Sequence, residues 1–527
     1  MLVSIFNDVI GPVMRGPSSS HCAAALRIGR LARDLVGGTP DGVLVEFDRG
    51  GSLPTTHESQ GSDMGLVGGL LGWDAADPRL PDGAAALAAA GATIRYETID
   101  CGDPHPNTYR LAVTRGGVAH RLCAISTGGG MIEVVEIDGF ALSLHGDAHE
   151  TLAVFAGADG GDRARRAAGG LAGAGDAEGI EVVEGPEGGL LRLRSQRPLP
   201  EAALRAAAAA GAAVHRLAPV LPVLSPRGAA VPFASAAACL AADAGRGLPL
   251  SHHAIAYETL RGGLSEARVV AMMVEIVRIL KASIAAGIAG TEYADRVLPP
   301  QAPAFAAALA AGRLVGDPLL ARVVLATTAL MEVKSSMGVI VAAPTAGACA
   351  ALPALLLTVA EQMGRDEEET ARALLAAGLV GVFICTPWSF AAEVGGCQAE
   401  GGSAAAMAAA AIVTLAGGPT ATALAAASMA LQSMIGLICD PVGNRVEVPC
   451  LGKNVMAAAN ALACANMALA GFQEVVPFDQ VVETARRVSE QMPRELRCTA
   501  LGGLSITPAS QAIEIRLLER AAAARGA

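Results

Sequence analysis

From about residue 227 onward the chain is a succession of Ala-rich apolar runs. Each is long enough for a helix, and each is stopped by Gly or Pro. That pattern leaves few folds open. Only 3% of the residues are aromatic, while 62 are Gly, so the core is one of small side chains and closely packed helices. Helices are expected at 265–289, with Ser265 as N-cap, and at 318–332, 349–361, 367–382, 398–415, 421–439, 454–470, 478–491 and 509–525. The most apolar runs raise the question of a membrane. They are broken by Gly417-Gly418-Pro419 and lack aromatic belts and flanking Lys/Arg clusters, so they read as a buried bundle rather than membrane spans.

Three cysteines fall at breaks in this helical sequence: Cys397 in Glu393-Val394-Gly395-Gly396-Cys397-Gln398-Ala399-Glu400, Cys439 in Cys439-Asp440-Pro441-Val442, and Cys450 in Val446-Glu447-Val448-Pro449-Cys450. The glycine pair lets the backbone turn tightly before Cys397, and the run that follows places Cys397 at a helix N-terminus, where the dipole favours a thiolate. Three thiolates gathered by loops form a cradle for an iron–sulfur cluster, and an iron left without a protein ligand acts as a Lewis acid. Buried free cysteines serving only as core are the competing reading. The eleven cysteines form no disulfide-like framework and the N-terminus reads as lacking a signal peptide, so a cytoplasmic location is expected. A net charge of −11 without a basic block excludes nucleic acid as a partner.

A chain of 527 residues is too long for one core, and the expected class is α+β multidomain. Residues 1–145 read as an α/β domain, with a helix over 23–36 and a strand over 43–47. Residues 146–226 read as a small α/β module plus a Pro-rich linker, and 227–527 as an all-helical domain. Ahead of the first helix, Gly16-Pro17-Ser18-Ser19-Ser20-His21 offers hydroxyls and N–H groups that either cap that helix or hold a carboxylate. Ser126-Thr127-Gly128-Gly129-Gly130 permits close backbone approach but is no dinucleotide fingerprint.

The words around these residues resemble the iron–sulfur L-serine dehydratases (L-serine ammonia-lyases). The resemblance is carried by GGCQAE, by CDPV and EVPC at spacings of 42 and 11, by the Ser335–Gly347 segment, and by GPSSSH and His105-Pro106-Asn107-Thr108. It covers roughly 1–145 and 250–505. It implies a 4Fe–4S cluster on Cys397, Cys439 and Cys450. It also implies substrate held by Ser18, Ser19, Ser20, Ser335, Ser336 and Thr345, and dehydration then deamination of a 2-amino-3-hydroxy acid in a homodimer of the kind its relatives form. The middle module resembles at best a degenerate ACT domain, with a spacer as the alternative.

The chain departs from the family where a proton must move. The family histidine of the loop after residue 50 aligns with Gln60, which cannot act as a base; His57 stands three residues earlier and Glu58 replaces a position that is often basic. Three readings follow: His57 takes over from a shifted position, the substrate differs, or activity is lost. His57, His21 and His105 are the acid/base candidates. The family's terminal cysteine is also missing, and Cys498 is the candidate substitute. Cys349 and Cys385 read as core thiols, and Glu400 and Glu447 as capping or salt-bridged carboxylates. Rival functions are a cysteine desulfidase or a lyase for a bulkier hydroxy acid, a pyridoxal-phosphate enzyme with Lys334 as the Schiff-base lysine, and a non-catalytic amino-acid-binding protein.

Overall fold

Alternation builds the N-terminal sheet. In β1 (Gly42–Asp48) Val43, Val45 and Phe47 turn inward while their neighbours stay half-buried. β1 pairs in parallel with β2 (Thr93–Ile99) and antiparallel with β3 (Thr108–Arg115). β4 (Val118–Gly128), β5 (Met131–Ile137) and β6 (Phe140–Leu144) follow as an antiparallel meander, giving the order β2-β1-β3-β4-β5-β6. The computed structural model describes residues 2–171, 177–293 and 296–526.

Two helices cover this sheet, α1 (Ala24–Leu35) and α2 (Ser62–Leu70). Their crossing is made by glycine. A Cβ at Gly65 would lie 2.0 Å from the Cys22 carbonyl oxygen, and one at Gly69 would lie 2.0 Å from that of Leu26. Backbone touches backbone here, which brings the loop preceding α1 down onto the loop preceding α2.

The middle module carries β7 (His149–Ala156), α3 (Gly160–Leu171), β8 (Ala177–Gly185), β9 (Gly188–Ser195), α4 (Glu201–Ala209) and β10 (Ala213–Leu217). Its antiparallel sheet has the order β10-β7-β9-β8, so all four strands and both helices of a βαββαβ unit are present. Phe155, Leu191 and Leu193 fill its core.

The remaining chain is a helical bundle: α5 (Leu250–Gly262), α6 (Glu266–Ala289), α7 (Pro318–Ser335), α8 (Ala351–Gln362), α9 (Glu367–Cys385), α10 (Ser403–Leu415), α11 (Thr420–Gln432), α12 (Cys450–Leu469), α13 (Phe478–Gln491) and α14 (Pro508–Gly526). Every residue of α10 is buried, which its run of alanines permits at close helix spacing. Ser265 caps α6 through the Arg268 N–H, and Asp366 with Glu369 forms a capping box on α9. The π-helical turn Ile5–Val9 plugs the bundle: Cβ atoms at Gly378 and Gly381 would meet Ile5 at 2.4 Å and Val9 at 2.1 Å. No described helix is long and apolar enough to cross a membrane.

Three expectations need correction. The C-terminal part is not wholly helical, because Ile340–Val341 forms a two-residue antiparallel bridge with Val13–Met14. The helix expected over 421–439 stops at Gln432: Gly436 takes φ +91°, and Cys439 lies in extended chain, its N–H donating to the Leu496 carbonyl at 2.9 Å. The helix expected from 454 starts at Cys450, directly after Pro449.

Candidate active site

The three cysteines and Cys498 converge from four separate segments, and all are at most 5% exposed. Cys397 follows Gly396, whose φ of +68° and crowding against Met492 and the Leu437 carbonyl leave no room for a side chain. It opens a π-helical turn, Gln398–Gly402, that runs into α10. Cys397, Cys439 and Cys498 pack together with Ala392 and Leu437; Cys450, in the first turn of α12, belongs to the adjoining cluster with Met14, Cys22 and Cys349 and lies near enough to Cys397 for their charges to interact. Ligand atoms of Cys397, Cys439 and Glu400 lie within 4.8 Å of one another. The thiol of Cys439 is pushed well above its ordinary pKa by hydrogen bonds with Cys397 and Cys498 and by burial. Burial and the charge of Cys397 do the same to Cys450.

Crowded buried thiols cannot ionise together without a cation to neutralise them, and thiolates are soft donors that suit iron. The donor set therefore fits an iron–sulfur group. Lys453 supplies part of the positive charge: its Nζ lies 3.6 Å from Cys397 Sγ, 2.8 Å from Asp440 Oδ1 and 2.7 Å from the Ile438 carbonyl. Burial works against its charge, but Cys397, Asp440 and Cys450 outweigh this and hold its pKa above the usual lysine value.

The N-terminal domain closes over this group. Ser19 Oγ accepts from the Ala346 N–H at 3.2 Å, so the GPSSSH segment docks on the Thr345 loop, and Thr345 Oγ1 donates to Glu400 Oε1 at 2.6 Å. The Ser20 carbonyl accepts from Ser126 Oγ. His21 is fully buried, with Nε2 2.8 Å from Thr56 Oγ1 and Nδ1 3.0 Å from Ser18 Oγ. Thr56 Oγ1 already donates to the Ser52 carbonyl at 2.8 Å, so it accepts from His21 and places the ring proton on Nε2. Nδ1 is then the acceptor for Ser18. Burial pulls the His21 pKa down to about 3, so the ring is neutral near pH 7.

Glu393 stands 3.7 Å from His21 Nδ1. Burial raises its pKa to about 7. Its Oε2 and the Asn107 Nδ2 are both buried without a hydrogen-bond partner; the Asn107 amide faces the carboxyl and lowers its pKa without reaching bonding geometry. Asn107 Oδ1 is bonded to Ser52 Oγ.

Other sequence candidates lie further out. His57 is packed against Phe47 and Tyr96, with ring centroids at 5.1 and 5.3 Å, and its Nδ1 is 2.7 Å from Asp63 Oδ1. It lines a cavity of about 420 Å³ with Ser335, Arg445, Glu514 and Leu517, and that lining includes none of the four cysteines. Gln60 points the other way, 1% exposed and with Nε2 3.9 Å from Cys498 Sγ. His105 is half-buried, and its Nδ1 accepts from the Asn107 N–H at 3.2 Å. The hydroxyls of Ser335 and Ser336 bond back to the Met331 and Val333 carbonyls, at 2.9 and 3.2 Å. Lys334 is fully buried and donates to the Val446 carbonyl. Glu447 accepts from the N–H groups of Val297 and Leu298, both at 3.0 Å, and so ties down the loop they belong to. Cys349 is a core thiol, pushed up to about 11 by burial.

Sequence reasoning missed Lys453, Glu393 and Asn107. The signal was present for the first, one of three lysines in the chain and three residues after Cys450. For the other two it lay only in their adjacency to recognised words.

A sheet domain and a helical bundle that meet around buried thiols and carboxyl groups define a two-part enzyme with its centre at the seam. Residues 245–505 match the family model described as serine dehydratase alpha chain. The chain is 37% identical over 247 residues to the probable L-serine dehydratase alpha chain of Bacillus subtilis, covering 47% of this chain and 82% of that protein. It is 42% identical over 186 residues to the probable L-serine dehydratase alpha chain of Latilactobacillus sakei, covering 35% and 89%. It is also 42% identical over 144 residues to the probable beta chain of the Bacillus subtilis enzyme, covering 27% and 64%. The chain belongs to the serine dehydratase family and is a lyase.

Proposed function

We propose that the protein dehydrates and deaminates L-serine to a 2-keto acid and ammonia, using a 4Fe–4S cluster held by Cys397, Cys439 and Cys450. The observation that carries this reading is the meeting of those buried thiols with the Ser18–His21 and Thr345 loops at one seam. When bound, the cluster supplies a Lewis acid that assists departure of the 3-hydroxyl. The chain's own residues do the rest. Lys453 balances the thiolate charge. Ser19 and Ser20 offer hydroxyls, and the loops of Ser18 and Thr345 offer backbone N–H groups, to the substrate carboxylate, while Ser335 lines the neighbouring cavity and Ser336 supports that loop. His21, kept neutral, holds Ser18 and Thr56 in place. His105 orients Asn107, and His57 is held by Asp63 at the wall of the neighbouring cavity. Cys498 would be the candidate to hold the cluster's remaining iron at rest.

Residues 1–145, 146–226 and 227–527 are the proposed domains, the middle one a degenerate ACT-like or spacer module, in a cytoplasmic homodimer. A second reading rests on Gln60 facing Cys498 where a histidine is expected: the same chemistry on a different substrate, such as a 3-thiol amino acid.

The test is anaerobic protein with its iron and sulfide intact, given L-serine while keto acid and cluster absorption are followed together. Turnover that vanishes with the cluster in air is expected. Ala at Cys397, Cys439 or Cys450 that left iron content and turnover intact would sink the proposal.

A further inference from the structure

We infer that Glu393 is the base that removes the substrate α-proton. This rests on the serine-lyase reading above and assigns it a residue that the motif comparison does not supply.

Position comes first. Glu393 lies in the short turn Ala392–Gly395, four residues before Cys397, and its neighbour Ala392 packs directly on Cys397, Cys439 and Cys498. Its side chain is 4% exposed. One oxygen, Oε2, makes no hydrogen bond of ordinary geometry; the Asn107 amide faces it, and that Nδ2 makes none either. A buried acceptor and donor matched this loosely are each better satisfied by a polar ligand set between them.

The neighbouring groups cannot do the same work. Gln60 carries no titratable proton. His21 offers no free basic nitrogen, since Nε2 carries the ring proton and Nδ1 accepts from Ser18. Glu400 is held by Thr345, and Glu447 by two backbone N–H groups. Only His21 comes within ion-pair range of Glu393 among the described residues, and that ring is neutral. The titratable groups around Glu393 are Glu400 and Cys498 from the helical part, and His21 and Tyr109 from the sheet domain. None carries a positive charge near neutral pH. With no cation beside it, burial makes this carboxylate a stronger base than an exposed one, and its loosely matched Oε2 makes it the group placed to accept the proton.

The step balances without a further reactant. The carboxylate takes the proton from Cα, and the C–H pair becomes the Cα–Cβ double bond. The Cβ–O bond breaks and its pair leaves with hydroxide. The proton on Glu393 passes to that hydroxide, giving 2-aminoacrylate and water and restoring the carboxylate.

The experiment compares anaerobic, cluster-loaded wild type with Glu393→Gln and Glu393→Asp, each checked for iron content. Three quantities are read: turnover of L-serine, the primary isotope effect with α-deuterated L-serine, and serine affinity from the perturbation of the cluster spectrum. E393Q is expected to lose about 10²–10⁴-fold in turnover, with serine affinity changed less than about threefold. E393D is expected to keep part of the activity, with a larger isotope effect and a displaced low-pH limb. Turnover of E393Q within tenfold of wild type overturns the assignment. So does loss of serine binding with the cluster intact, which would make Glu393 an anchor for the substrate ammonium. If E393Q fails to load, an unchanged isotope effect and pH profile in E393D overturn it instead. Wild type that holds its cluster and does not turn over serine overturns the serine reading itself, a result distinct from an active wild type with an equally active E393Q.

Discussion

Replacing Gly69 with alanine tests the contact that fixes the N-terminal half of the seam. The added Cβ would lie 2.0 Å from the Leu26 carbonyl oxygen and 2.8 Å from the Arg30 nitrogen. Both are backbone atoms within α1, so no side chain can swing aside, and the helices must part by about 1 Å. Overpacking of this kind costs about 1–3 kcal/mol. The better helix propensity of alanine returns up to about 1 kcal/mol, so the net loss is about 1–2 kcal/mol. For a domain of this size that lowers Tm by about 2–8 °C, read by calorimetry on the cluster-free protein. Gly169→Ala is the control: it too lies in a helix, but nothing stands within 4 Å of its added Cβ, so Tm should hold or rise slightly. An unchanged or raised Tm in Gly69→Ala would refute the claim that α1 and α2 touch through their backbones.

Further outcomes follow from the seam. Lys453→Met leaves Asp440 buried opposite the thiols without its cation and should destabilise the protein by about 3 kcal/mol, with faster loss of iron to a chelator. For Glu393 the folded pKa of about 7 lies above the ordinary 4.5, so its contribution to stability is full below pH 4.5 and lost as pH rises through 7. Urea unfolding of cluster-free wild type should therefore weaken over that window relative to E393Q. His21 has the opposite sign: its pKa falls from 6.5 to about 3, so its contribution is present above pH 6.5 and lost as pH falls toward 3, a dependence that His21→Asn should flatten. Asp366→Ala removes the capping box of α9 and should cost about 1 kcal/mol, seen as a lower urea midpoint with cluster content unchanged.

What could be read in advance was local. Ser265 and Asp366 announce helix starts through their own side chains, and Val43, Val45 and Phe47 reveal a strand face by alternation alone. Cys397 at a helix start follows from the glycine pair before it. Cys439 was different. The apolar run continues past Gln432 with Gly436 as its one local break, and what holds Cys439 in extended chain is pairing with Leu496 and Arg497, far along the sequence. Glu393 shows the same limit more sharply. Its bare oxygen depends on His21 and Asn107, contributed by the other domain, so no window around residue 393 contains the reason for its chemistry.

The plug formed by Ile5–Val9 sets the timetable of assembly on the ribosome. Its socket in α9 is made some 370 residues later, between Gly378 and Gly381. At synthesis rates of about 5–20 residues per second, the plug waits about 20–75 s for that socket. The sheet domain can fold meanwhile, but its leading residues stay unseated, and Cys397, Cys439, Cys450 and Cys498 emerge only after α9. These four thiols thus emerge after the sheet domain and the first helices of the bundle, and the interval before the remaining helices close around them is the natural moment for a metal group to be delivered.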